Sequence, residues 1–142
     1  MKKYILCFVI IILLLSPAAS AMDRFDIVTT QQLKQMLDDR RLNKAMVTLV
    51  DYRNENFLKT EKPLPLIKTG CPTIKCFLDD LSDPAVRNKI PKKGLVVLVC
   101  ETGNRDAVAM RYLHKYGYNN VVGLRTGMRG WIKLGYPVEF SK

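Results

Sequence analysis

Residues 95–105 read Leu-Val-Val-Leu-Val-Cys-Glu-Thr-Gly-Asn-Arg, and no other stretch restricts the fold so tightly. Five apolar residues, Leu95, Val96, Val97, Leu98 and Val99, stop at Cys100; a short polar turn then carries Gly103 and closes on Arg105. An unbroken apolar run of that length predicts a central strand buried on both faces. Ala107, Met110 and Leu113, with Val108 beside them, follow at helical spacing. Cys100 is therefore expected at the carboxyl end of a strand, in a loop that feeds a helix. The N–H groups of such a loop, together with the helix N-terminus, stabilise a thiolate and any anion beside it. A cysteine that ends an apolar strand can be an inert core thiol; the polar glycine-bearing loop and Arg105 tilt the reading toward a reactive one.

The rest of the chain alternates in the same way. Thr29 is a credible N-cap and Gln32, three residues on, completes a capping box for a helix carrying Leu33, Met36 and Leu37. A strand is expected over residues 46–50. Residues 54–68 are polar and marked by Pro63 and Pro65, which reads as a long loop or excursion. Asp83 and Pro84 suit an N-cap and first helical position, starting a short helix through Ile90 that Pro91 and Gly94 break. A helix over residues 106–116 should end at Gly117, a strand is expected over 121–124, and a last helix over 128–134 should bury Trp131. Strands alternating with helices predict an α/β fold: a mainly parallel central sheet with helices on both faces.

The chain has 142 residues, which fits one domain, and the first 21 are not expected to belong to it. Lys2 and Lys3 precede an apolar run from Tyr4 to Leu15, and Ala19 and Ala21 then form an Ala-x-Ala site. A positive start, a short apolar core and that site describe a secretory signal peptide cleaved after Ala21. The run is short for a membrane span, which needs roughly 20 apolar residues, so no stable membrane insertion is expected after cleavage. The domain would then occupy residues 22–142 of an exported, periplasmic protein. Without Lys2 and Lys3 the formal charge falls from +10 to +8. For an exported chain this argues against nucleic acid as partner. It suits a solvated lysine-rich surface, a surface near anionic envelope components, or a field that draws in a small anionic substrate.

Export also changes how the cysteines are read. Cys7 lies in the leader, and Cys71, Cys76 and Cys100 remain. Oxidising compartments favour disulfides, and an odd count leaves one thiol over. The economical pairing joins Cys71 to Cys76 and leaves Cys100 free. No metal site is expected, since two cysteines without a histidine pair are not a ligand set.

The loop over residues 100–105 resembles the active-site loop of the rhodanese (sulfurtransferase) superfamily, six residues that begin with the catalytic cysteine and usually end in arginine or threonine. The resemblance extends in both directions. Gly117-Tyr118, Val121-Val122, Leu124, Gly127, Trp131 and Gly135-Tyr136-Pro137-Val138 are similar to the family's closing signature, a glycine-bearing turn and then W-x-x-x-G-Y/F-P-V. Val47-Thr48-Leu49-Val50-Asp51-Tyr52-Arg53 resembles its first core strand with a D-x-R ending, and Thr29-Thr30-Gln31-Gln32-Leu33 its opening helix. Residues 54–93 correspond least. There, Ile67, Gly70 and residues 74–78 stand where the family has a turn and a third strand.

The resemblance implies a sulfurtransferase in which Cys100 attacks a sulfane sulfur donor and carries a persulfide, with loop N–H groups from Glu101, Thr102, Gly103, Asn104 and Arg105 stabilising its charge. No cofactor is required. The donor would be thiosulfate or an organic persulfide, and the acceptor a thiol or cyanide. Arg105 would either hold the rim and meet an anionic substrate or form an ion pair with a carboxylate such as Asp51. The helix N-terminus and a nearby cation are expected to lower the Cys100 pKa. Glu101 would repel a dianion such as thiosulfate and raise that pKa. Asp106 stands where the family most often has serine and suits the start of a helix. Asp51 and Arg53 are expected to tie the strand end to its neighbours. Phosphatase or arsenate-reductase chemistry uses a longer C-x5-R cradle, one residue more than the C-x4-R found here. The residues also allow a non-catalytic rhodanese-like binding module, or a thiol–disulfide role for Cys71 and Cys76.

Overall fold

The computed structural model describes residues 26–53 and 63–140. The leader read at residues 1–21 and the first part of the excursion, residues 54–62, lie outside the described residues. Seven strands are present among them: β1 (Ile27–Val28), β2 (Val47–Asp51), β3 (Pro65–Ile67), β4 (Thr73–Lys75), β5 (Leu95–Val99), β6 (Val121–Leu124) and β7 (Val138–Phe140). The α-helices are α1 (Thr30–Asp38), α2 (Pro84–Arg87), α3 (Asp106–Lys115) and α4 (Gly127–Lys133), with 3-10 turns at Lys44–Met46 and Asp79–Ser82.

Five strands form one sheet in the order β1-β6-β5-β2-β4, and every pairing in it is parallel. β5 lies at its centre, as its apolar run requires: Val96, Val97 and Leu98 have no exposed surface. Alternation along the strands divides the core in two. Val50, Val96, Leu98 and Cys100 face a cluster with Ala109, Met110 and Leu113 of α3. Leu49, Val97 and Val99 face the other, with Leu33 and Leu37 of α1 and Met128 and Trp131 of α4. Helices thus cover both faces, as the sequence pattern predicted. Trp131 anchors the second cluster, and its indole N–H donates to the Pro137 carbonyl at 2.9 Å.

Local signals placed most element ends. The Thr29–Gln32 capping box is formed in both directions, the Asp83 carboxylate accepts from the Ala85 N–H beside Pro84, and Gly117 takes a left-handed φ of 81° after α3. The excursion differs from expectation: Pro65–Ile67 is a strand, paired antiparallel with Val138–Phe140 from the far end of the chain. Among the described residues, neither short strand has a partner near it in sequence. α2 stops at Arg87 rather than Ile90, and the strand expected over residues 74–78 is Thr73–Lys75.

Candidate active site

Cys100 follows β5 directly and is 3% exposed. The loop curls back on it, so the Gly103 N–H donates to Sγ at 2.9 Å, and the N–H groups of Thr102 and Arg105 favour the ionised sulfur. Gly103 holds φ at +83°, and a Cβ there would lie 2.9 Å from the Thr126 nitrogen and 3.0 Å from the Leu124 oxygen. Only glycine makes that turn without displacing β6. α4 clamps the loop from outside: the Met128 N–H donates to the Cys100 carbonyl at 2.8 Å and the Arg129 N–H to the Glu101 carbonyl at 2.9 Å. The loop is therefore a fixed cradle of inward N–H groups at the start of the ten-residue helix α3.

The inner wall is a pair of groups whose link to Cys100 the sequence pattern did not reveal. The β2–β5 register sets Asp51 against Val99, so Tyr52, whose N–H donates to the Val99 carbonyl, comes next to Cys100. The Tyr52 hydroxyl donates to Asp106 Oδ1. Asp106, 4% exposed, also has the Leu124 N–H and the Cys100 thiol beside it, and both favour its ionised form. It fits because residue 123 is glycine: a Cβ there would sit 2.8 Å from Asp106 Cβ and Oδ2. Burial raises Asp106 to about 6, against the lowering pull of Tyr52, Cys100 and Leu124. Burial, then the Asp106 charge, pushes the Tyr52 hydroxyl far above its ordinary value and keeps it a donor. One signal did mark this slot: a glycine inside the strand Val121–Leu124 indicates close approach by a neighbour.

The electrostatics of Cys100 correct one expectation. Its thiol is pushed up, not down: burial is the largest cause and the Asp106 carboxylate the next, with the Arg105 and Thr102 N–H groups offsetting only part. The carboxylate that raises it is Asp106, whose position in sequence suggests no more than a helix start. Glu101 lies between two guanidinium groups, 3.6 Å from Arg53 and 3.7 Å from Arg129. Asp51 and Arg53 are structural, as expected: they form a buried ion pair at 2.7 Å, and Arg53 also donates to the Pro65 carbonyl. Asp51 is thereby taken by Arg53 rather than Arg105, whose side chain is exposed at the loop rim beside Asn104.

The expected Cys71–Cys76 bridge is not formed; both thiols are free. Cys71 packs with the α1–α4 cluster and Cys76 against the α3 cluster, on opposite faces of the sheet. Cys76 does share a face with Cys100. Its N–H donates to the Asp51 carbonyl, which sets it beyond Tyr52 in the same row of strand ends. Two strand spacings of about 4.8 Å separate its backbone from that of Cys100, outside the roughly 7 Å reach of a disulfide.

A parallel sheet, a cysteine at the carboxyl end of its central strand and a six-residue cradle before a helix define a class of α/β domains that place one thiol on a tight strand-to-helix loop. Residues 29–134 match the Rhodanese-like domain family, and the chain belongs to it. A sulfurtransferase of Allochromatium vinosum is 38% identical over 55 residues, which is 39% of this chain and 51% of that protein, so the match spans about half of the relative's length. A rhodanese-related protein from Thermoplasma volcanium superposes with a TM-score of 0.63 at 23% identity, over 82% of this chain and all of that one. The solution structure of a rhodanese-like domain from Anabaena gives 0.65 at 19% identity, over 83% of this chain and 81% of that one.

Proposed function

We propose that the protein is a sulfurtransferase that carries sulfane sulfur as a persulfide on Cys100. The observation that supports this most is the cradle: the Gly103 N–H donates to Sγ at 2.9 Å, and the backbone N–H groups of Thr102 and Arg105 favour its ionised form. That arrangement holds negative charge at Sγ and at an atom bonded to it. In the first half-reaction Sγ bonds to the outer sulfur of the donor and the donor's S–S bond breaks, its electron pair leaving with sulfite or a thiolate. In the second, cyanide or a thiolate takes the outer sulfur and the pair of the breaking S–S bond returns to Sγ. With the leader expected at residues 1–21, this chemistry would belong to an exported protein.

A second reading, a non-catalytic rhodanese-like binding module, draws on the burial of Cys100 and its raised pKa, both of which slow a thiol. Intact mass spectrometry separates the two. Incubation with thiosulfate or an organic persulfide should add one sulfur, cyanide should remove it as thiocyanate, and Cys100→Ser should gain none. A reduced, free Cys100 that gains no sulfur from either donor rejects the sulfurtransferase and leaves the binding module.

A further inference from the structure

The sulfurtransferase reading leaves one step without an agent. A buried Cys100 whose thiol is pushed up must lose its proton before it attacks, and the loop N–H groups can only donate. We propose that Asp106 is the proton partner of Cys100: its carboxylate takes the thiol proton from Sγ as Cys100 attacks a donor, and the resulting acid returns it to Sγ when the outer sulfur departs with the acceptor. The proposal rests on the sulfurtransferase reading and adds a catalytic residue to it.

The geometry carries the argument. Asp106 is buried at the base of the loop in a slot that exists because residue 123 has no side chain. The Tyr52 hydroxyl donates to it, and the Leu124 N–H and the Cys100 thiol beside it also favour its ionised form. A buried carboxylate without donors would stay neutral, and one amid cations would bind a proton too weakly to hold it; this one can do both. Tyr52 cannot take the proton, since burial and Asp106 keep it protonated. Two other carboxylates near the site are already committed. Asp51 pairs with Arg53 at the end of β2, and Glu101 lies between Arg53 and Arg129 of α4. Cys76, beyond Tyr52, is pushed up to about 11 and is neutral.

The steps balance. The thiol proton moves to Asp106, the Sγ pair bonds the outer sulfur of thiosulfate, and sulfite leaves with the pair of the broken S–S bond. The product is a persulfide anion beside a neutral carboxyl, so the loaded site does not hold two adjacent negative charges. Cyanide then takes the outer sulfur as thiocyanate, and Sγ, leaving with its pair, recovers the proton from Asp106. A serine at this position could hydrogen-bond the sulfur but could not accept a proton at neutral pH.

Single-turnover rates against pH test this, with persulfide loading and cyanide discharge followed separately. In the wild type, loading should rise with pH through an inflection near 6, where Asp106 titrates, and discharge should fall through an inflection at higher pH, because the persulfide anion beside Asp106 raises it. Asp106→Asn should flatten both profiles and slow loading at least about 100-fold. Tyr52→Phe keeps the carboxyl but removes a bond that favours its ionised form, so both inflections should move to higher pH; this variant decides the matter if Asp106→Asn fails to fold. Uniform slowing of Asp106→Asn with its pH profile retained, or unmoved inflections in Tyr52→Phe, would overturn the proposal. The rate of Cys100 alkylation by iodoacetamide against pH needs no sulfur donor and should show the same inflection as loading, lost in Asp106→Asn. If no donor loads the wild type, the sulfurtransferase reading fails by itself, and the alkylation profile still decides whether Asp106 takes the proton.

Discussion

Gly127→Ala should uncouple the cysteine loop from the helix that holds it. Gly127 has φ +53°, and a Cβ there would lie 2.3 Å from the Cys100 carbonyl oxygen and 2.8 Å from both the Glu101 carbon and the Thr102 nitrogen. All three neighbours are backbone, so no side chain can rotate away. Relief requires the loop and α4 to separate by about 1 Å, since ordinary contact begins above 3 Å. That separation breaks the Met128 and Arg129 N–H bonds to the Cys100 and Glu101 carbonyls, at 2.8 and 2.9 Å. Each such bond contributes about 1 kcal/mol net. Left-handed φ costs an alanine about 1–2 kcal/mol more. A loss of about 3–4 kcal/mol lowers Tm by roughly 10–20 °C in a domain of this size. Displacement by 1 Å should also slow persulfide loading about 100-fold. Thermal unfolding followed by circular dichroism reads the first effect, and single-turnover mass spectrometry below both midpoints reads the second. A Tm within about 2 °C of wild type, with unchanged loading, would refute the clamp between α4 and the loop.

Asp106 should make stability depend on pH. Its pKa is about 6 in the fold against an ordinary 3.8, so between those values the native state holds a proton that the unfolded chain has lost. Stability conferred by that proton is complete at lower pH and is lost as pH rises through 6, by about 3 kcal/mol in all. Urea unfolding of wild type and Asp106→Asn on either side of this window should show the variant gaining by that amount at the higher pH; a difference independent of pH would contradict the buried carboxyl. Glu101→Gln leaves Arg53 and Arg129 without the carboxylate between them, so thiosulfate should load up to about tenfold faster. An unchanged rate would mean that Glu101 does not select against dianions. Burial, then the charges of Asp80 and Asp51, push Cys76 up to about 11. Iodoacetamide near neutral pH should therefore label it about 100-fold more slowly than an ordinary thiol, and peptide mapping that finds it labelled at an ordinary rate would refute that environment.

Much of this fold follows from short-range signals. The apolar run Leu95–Val99 must be buried on both faces, wherever the rest of the chain goes, so the central strand and the placing of Cys100 at its end are legible in the residues themselves. The same holds for the Thr29 cap, the Asp83–Pro84 helix start and the Gly117 helix end, because caps and turns are settled within a few residues. The pairing of Pro65–Ile67 with Val138–Phe140 was not legible. Each strand is only three residues long, and its partner lies more than seventy positions away in sequence.

Residue order alone was enough to put a cysteine in a loop between a buried strand and a helix, within a rhodanese-like pattern. What surrounds the sulfur came from the packing of distant segments. The parallel register of β2 and β5 brings Tyr52 to it, the missing side chain of Gly123 admits Asp106, and burial reverses the expected direction of the thiol's pKa. Packing also sends Cys71 and Cys76 to opposite faces of the sheet. Burial on a strand is encoded by its own side chains, whereas desolvation and charge pairing depend on distances between residues that only folding brings together.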